Sequence, residues 1–274
     1  MADDLSRWLA LREAADFAAR SHSLTTLLIN RLGGARPCRI LDLATGSGSN
    51  IRYLATKVPG PQHWLAVDKD ARLLSEAAYR SVSLLPGVRV DTRTVDLGSR
   101  QPTDLFSGRH LVTASALLDL VSESWMQWAA AECRRASALA LFALTYNGRN
   151  ECDPADPDDA RVFALFNEHQ LRDKGLGGAA AGPHATDVAR TVFTSAGFDV
   201  RVEPSNWHVD PEARDFQRAL IEGWALAAAE VAPAELELIS AWKRRRLAHV
   251  DAGQSVIVVG HYDLAAFPIV NQPA

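Results

Sequence analysis

The chain has 274 residues, 47 % of them hydrophobic, enough for one sizeable core or one core with an appended cap. A formal charge of −4 and an isoelectric point near 6.1 leave no basic footprint for nucleic acid. The amino-terminal stretch is charged and amphipathic, with no signal-peptide core and no apolar run of about 20 residues, so no membrane partner is expected and a cytoplasmic location is.

Residues 5–32 carry helical spacing, with Leu5, Trp8, Leu9, Arg12, Ala15 and Ala19 recurring at three and four until Gly33 and Gly34 stop it. Arg39 to Leu43 is a short apolar run suited to a strand buried on both faces. The small-residue turn Ala44-Thr45-Gly46-Ser47-Gly48-Ser49 follows, and a helix begins near Asn50 and ends at Pro59-Gly60-Pro61. The unit repeats as a strand over Trp64 to Asp68, a helix over 70–83 and a β-branched strand over 88–95. His110 to Ala114 reads as a fourth strand, Trp125 to Arg135 as a helix and Ser137 to Thr145 as a fifth strand.

Residues 146–185 break the rhythm: acidic first, helical from Val162 to Asp173, then rich in glycine and alanine. A helix over 186–196 and a strand over 198–203 restore it. A helical stretch over 211–249, broken at Pro233, precedes a final strand from Ser255 to Tyr262. Within that stretch the cationic run Lys243, Arg244, Arg245 and Arg246 reads as a solvated helix face. Cys38, Cys133 and Cys152 are odd in number and lack metal-ligand spacing, so they read as reduced thiols and no metal is expected.

Strands separated by helices require a parallel sheet with right-handed crossovers. The predicted fold is therefore α/β, a doubly wound, mostly parallel sheet of seven strands with added helices. A helical cap occupies 1–34, and one main domain occupies 35–274 with helical insertions near 146–185 and 211–249.

The chemical signal is concentrated in the turn after the first strand. Small residues from Ala44 to Gly48 let backbone approach a ligand closely, and the start of the next helix, at Asn50, offers unpaired N–H groups. Asp68 closes the second strand, where an acid can accept both hydroxyls of a ribose lying across the strand tips. Asp96 ends the third strand pattern, placed to accept from the exocyclic amine of an adenine. Three strand-terminal carboxylates in order, Asp42, Asp68 and Asp96, carry more weight than any one, since a single Asp there also serves as a cap or turn former. A nicotinamide dinucleotide fingerprint would need Gly-x-Gly-x-x-Gly, but counted from Gly46 the last position is Ile51. Asp42 would also repel a pyrophosphate.

These residues resemble the class I S-adenosylmethionine-dependent methyltransferases. ILDLATGSGSN is similar to their first motif, WLAVDKD with Asp68 and Lys69 to the ribose-binding motif, and TVDL to the motif in which Asp96 and the backbone of Leu97 hold the adenine. HLVTASALLDLV resembles the fourth strand and its following loop, with Ser115 beside the reacting centre. Ala44 stands where the family often has its first glycine, and His110 where an acid commonly opens the strand. The resemblance implies S-adenosyl-L-methionine as cofactor and an antiparallel last strand. A cofactor-binding protein without catalysis is the competing reading.

No Asn/Asp-Pro-Pro-Tyr/Phe follows the fourth strand and no cysteine sits at its tip, which argues against methylation of DNA amines and of pyrimidine carbon. A small-molecule oxygen or nitrogen acceptor remains, and the protein has mainly to align it, exclude water and remove a proton. Candidate catalytic residues are Asp119, Tyr146 and His169, the last also readable as a core histidine; His184 and His208 are weaker candidates. Arg12, Asp16 and Arg20 share one helix face, either as a paired solvated row or with Arg20 meeting the methionine carboxylate. Trp207, Trp224 and Trp242 read as core packing or as a contact in a possible homodimer.

Overall fold

The computed structural model describes residues 2–34, 36–84, 86–99 and 102–269. The expected domain limits at 35 and 274 lie outside them. Helix α1 (Ala2–Ala19) and helix α2 (His22–Arg31) replace the single helix expected over 5–32. The break is local chemistry: the Ser21 hydroxyl accepts from the Leu24 amide at 3.1 Å and caps α2.

The α/β alternation then runs as β1 (Cys38–Leu43), α3 (Ser49–Ala55), β2 (Gln62–Asp68), α4 (Ala71–Leu84), β3 (Val88–Thr94), β4 (Leu111–Ser115), α5 (Glu123–Arg135) and β5 (Leu139–Asp153). After it come α6 (Asp159–Gln170), α7 (Ala185–Ser195), β6 (Phe198–Pro204), β7 (Trp207–Val209), α8 (Arg214–Val231), α9 (Leu236–Asp251) and β8 (Val256–Pro268). The sheet order is β3-β2-β1-β4-β5-β8-β6, with β7 paired to β8. The strands from β3 to β5 are parallel, and β8 runs antiparallel between β5 and β6, the direction expected of the last strand.

Two expectations need correction. β7 is an eighth, three-residue strand that its sequence does not announce. More consequentially, the break in rhythm does not begin at 146: β5 continues to Asp153 and pairs along β8, whose far end reaches Pro268. Two register shifts interrupt that pairing, one between Phe142 and Thr145 and one between Tyr146 and Asn150. Acidic and polar residues here alternate outward on a paired strand, so composition alone reads as loop. Glycine is favoured at position 260, in the second irregularity, because a Cβ there would lie 2.7 Å from the Arg149 Cβ.

The sheet is covered on both faces. Leu41, Leu43 and Val112 pack against Trp125, Met126 and Phe193 on one side. On the other, Ile40, Trp64 and Leu111 pack against Leu24, Leu28, Ile51 and Leu54. A third apolar cluster is built where the extended β5 and β8 meet α6, α8 and α9, and it contains Tyr146, Phe163, Trp207, Trp224 and Trp242. All three of those tryptophans are buried in this cluster, which resolves them as packing rather than a contact face.

The cationic run is likewise not a uniform solvated face. Arg246 is completely buried; its Nε donates to Asp159 Oδ1 at 2.9 Å, and Trp242 Nε1 donates to the same oxygen at 2.8 Å. Arg245 clamps Asp156 and Asp158. These bonds strap α9 to the start of α6. Replacing Arg246 by Ala strands the half-buried Asp159 carboxylate and is expected to cost about 3 kcal/mol in urea unfolding. Arg244→Ala, on the exposed face, is expected to stay within about 0.5 kcal/mol.

Candidate functional site

The turn after β1 is held from both sides. Thr45 donates its hydroxyl to the Asp42 carbonyl at 2.9 Å and accepts from the Val67 amide at 3.1 Å, tying β1 to β2. Gly48 begins α3 with φ of +87°, and a Cβ there would stand 2.9 Å from the Ala77 Cβ and 3.0 Å from the Ala77 Cα. Only glycine combines that left-handed backbone with so close a neighbour. Leu9 of α1 lies against Gly46, and Glu13 of the same helix pairs with Arg52 at 2.7 Å, so α1 covers this turn.

The three acids stand at adjacent strand ends, each in a different state. Asp68 accepts from the Gly46 amide at 2.8 Å and from the Asp70 amide at 3.0 Å. Asp96, two residues beyond β3, is exposed; the Gly98 amide at 2.9 Å holds its carboxyl below the usual range, helped by Lys69. Leu97 is buried and its carbonyl accepts from Trp125 Nε1 at 3.2 Å. Ser115 is half-buried at the end of β4.

Asp42 is fully enclosed, and burial pushes its carboxyl up to about 7. One of its oxygens accepts from Asn50 Nδ2 at 2.6 Å; the other, Oδ2, is buried without a partner. Asn50 also accepts from Arg20 Nη1 at 2.8 Å, and Arg20 Nε pairs with Asp263 of β8 at 3.3 Å. The Arg20 guanidinium lies 4.5 Å from the Tyr53 ring centre, and its Nη2 is a second buried atom without a partner. The Ser47 hydroxyl, in the turn itself, is a third. Arg20 is therefore neither solvated nor paired with Asp16, which bonds instead to Arg12 at 2.9 Å.

Beside this network a cavity of about 430 Å³ opens where the loop after β4 meets α1, β5, α8 and β8. Asp119, Tyr146 and His169 all line it. Burial pushes Asp119 up to about 6, and its Oδ1 is buried without a partner. The Tyr146 hydroxyl donates to Asn167 at 2.7 Å and accepts from Asn150, while burial keeps the phenol protonated. His169 sits between Glu230 and Lys174, each 3.1 Å away, and burial lowers its affinity for a proton. His184 and His208 are exposed and do not line the cavity.

Among the lining residues that escape the sequence reading as site residues are Trp8, Arg12, Trp207 and His261. One signal for His261 exists. On β8 it continues the inward phase of Ile257 and Val259, followed by Asp263, and polar residues on a buried strand face need a reason.

The raised carboxyl of Asp42 has a thermodynamic consequence. The native state binds that proton more tightly than the unfolded chain, so its contribution to stability falls as pH rises from about 4 to about 7. Asp42→Asn is expected to remove this, so that the melting temperature of the variant gains on the wild type between pH 5 and pH 8. An unchanged difference across that range would contradict the assignment.

Neither a protein-family model nor a curated protein matches the chain. Solved structures do. A putative methyltransferase from Bacillus halodurans is 16 % identical, with 89 % of this chain and 99 % of that one covered and a TM-score of 0.52. The YcgJ protein from Bacillus subtilis is 14 % identical, covering 91 % of this chain and 100 % of that one with a TM-score of 0.50. A likeness of this kind establishes architecture. The chain has the fold of the class I S-adenosylmethionine-dependent methyltransferases.

Proposed function

We propose that the protein is a methyltransferase that uses S-adenosyl-L-methionine and acts on a small molecule at oxygen or nitrogen. The observation that carries this reading is the pair of buried, unpartnered atoms on opposite sides of Asn50: a carboxylate oxygen of Asp42 and a guanidinium nitrogen of Arg20. Polar atoms are seldom left so, because burying one without a partner costs about 1–3 kcal/mol. A free carboxyl oxygen and a free cationic donor on either side of Asn50 would complement the ammonium and carboxylate of an amino acid. Asp68 and Asp96 lie along the adjoining strand ends, where a ribose and an adenine would follow.

S-adenosyl-L-methionine would supply a methyl group activated by a sulfonium charge. Arg20, Asp42 and Asn50 would hold its amino-acid end, Asp68 its ribose and Asp96 with Leu97 its base. The Ala44–Gly48 turn, covered by α1, would lie between them. The chain's remaining tasks concern the acceptor. The cavity beside Ala116 and Asp119 encloses it within the range of roughly 300–1,000 Å³ typical of small-ligand pockets. Asp119 is the proton acceptor in this reading: the hydrogen displaced from the acceptor oxygen or nitrogen passes to its carboxylate. A carboxyl pushed up to about 6 is a stronger base than an ordinary one and is still mostly ionised at neutral pH. Tyr146, with both bonding directions of its hydroxyl taken, serves as wall, and His169 stands at the side of α8.

Calorimetric titration with S-adenosylhomocysteine tests the cofactor. Binding is expected, and Asp68→Ala is expected to weaken it about tenfold or more. Stabilisation by a nicotinamide dinucleotide but not by S-adenosylhomocysteine would overturn the reading. Transfer of labelled methyl groups to a metabolite panel tests catalysis. The rate is expected to fall as pH drops through about 6, where Asp119 takes up its proton. Asp119→Asn should lose about 100-fold in rate together with that pH dependence. Tight cofactor binding with no transfer to any panel member would instead favour a non-catalytic binding protein.

A further inference from the structure

His261 is the cavity residue whose chemistry is most constrained. Its backbone is fully committed: the N–H donates to Asn206 at 3.0 Å and the carbonyl accepts from the Ser205 amide at 2.9 Å. Its ring Nδ1 lies 3.1 Å from the Val259 carbonyl, which can only accept. The hydrogen of the neutral ring therefore sits on Nδ1, and Nε2 keeps its lone pair. No side chain or backbone group among the described residues bonds to Nε2, although the residue is buried and faces the cavity. The ring is fixed in place by Trp207, 4.4 Å away between centroids, and by Tyr146 at 6.1 Å.

The groups around it settle its charge. Arg12 reaches the same cavity from α1, with Asp16 bonded behind it; Tyr146 comes from β5 and Asp119 from the loop after β4. Burial and the Arg12 cation hold the imidazole neutral down to about pH 3. The ring is thus a permanent hydrogen-bond acceptor, weaker as a base than Asp119 beside it. The cavity is lined by one cation, Arg12, and two carboxylates, Asp119 and Glu230, the second engaged by His169 at 3.1 Å, so a charged body of either sign meets a like charge. Its walls are otherwise largely apolar and aromatic, from Trp8, Phe166, Trp207 and Trp224.

We propose that the cavity takes a flat, uncharged molecule bearing an O–H or N–H, and that His261 recognises it by accepting that hydrogen at Nε2. If the reading of the preceding subsection is right, the hydrogen held by His261 stays in place, while a second one, on the methylated oxygen or nitrogen, passes to Asp119. His261 is a specificity residue, set beside Asp119 as proton acceptor.

Calorimetry on the full chain tests this, with and without S-adenosylhomocysteine, at neutral pH. The probes are 2-naphthol, its methyl ether 2-methoxynaphthalene, and two charged analogues, 2-naphthoate and 2-naphthylmethylammonium. Expected is about tenfold or more tighter binding of 2-naphthol than of the ether, because the ether leaves a buried acceptor unpaired. Both charged analogues are expected to bind more weakly than 2-naphthol. His261→Phe should bring 2-naphthol down to the level of the ether without weakening the ether. His261→Gln, which keeps an acceptor oxygen, should restore part of the preference and guards against a Phe variant that does not fold. Equal binding of 2-naphthol and its ether, a preference that survives in His261→Phe, or no binding by any probe would overturn the proposal. If the probes behave as expected but S-adenosylhomocysteine does not bind, the methyltransferase reading fails and the recognition by His261 stands.

Discussion

A single buried ion pair, Arg20 with Asp263, ties the candidate site to the fold. Enclosing two charges is costly unless further hydrogen bonds satisfy them. Here they do so by recruiting distant parts of the chain. Asp263 of β8 accepts from the Ser21 amide at the start of α2 and from the Leu144 amide in β5, each at 2.9 Å. Arg20 reaches across to Asn50 in α3, and Asn50 in turn holds Asp42 in β1. The junction between the first two helices is thereby bound to the central strands. The same bonds bring a guanidinium to Asn50 and, through it, to Asp42 at the end of β1, so the constraint that seats the first two helices also builds one end of the candidate site.

The second determinant is the length of the β5–β8 pairing. A strand ending at Thr145 would leave the region beyond the sheet to loops. Carried on to Asp153, it forms a platform against which α6, α8 and α9 close a separate apolar cluster. The cavity lies between that cluster and α1, next to the loop after β4. Its contents invert the ordinary order of basicity: the buried carboxyl of Asp119 rises to about 6 while the buried imidazole of His261 falls to about 3. Both shifts have one main cause, the loss of water around the charged form, which raises an acid and lowers a base. The Arg12 cation pushes His261 further in the same direction. An acceptor that never ionises and a base that does so near neutrality stand in one enclosure.

The central α/β alternation was legible in the chain itself, because buried parallel strands and the helices between them leave different periodicities. So was the turn from Ala44 to Gly48, since close backbone approach and a left-handed helix start admit few residue types. The order of Asp42, Asp68 and Asp96 at successive strand ends was readable for the same local reason. Less legible were the split between α1 and α2, which a single serine cap decides, and the continuation of β5, whose outward polar residues look like loop. The run from Lys243 to Arg246 misled because one of its four members turns inward to pair with Asp159.

What tertiary structure alone decided is which distant side chains meet. Arg20, Asn50 and Asp263 are far apart in sequence, and nothing local distinguishes Asp263 from any other acid on a strand. His261 likewise looks like an interruption in a run of valines until β7 and α1 bring Trp207 and Arg12 against it. The division has a physical origin. Backbone conformation and burial periodicity are set by neighbours within a few residues and are written along the chain. The charge state and bonding of a buried polar group depend on what desolvates it, and that comes into being only when separate segments pack.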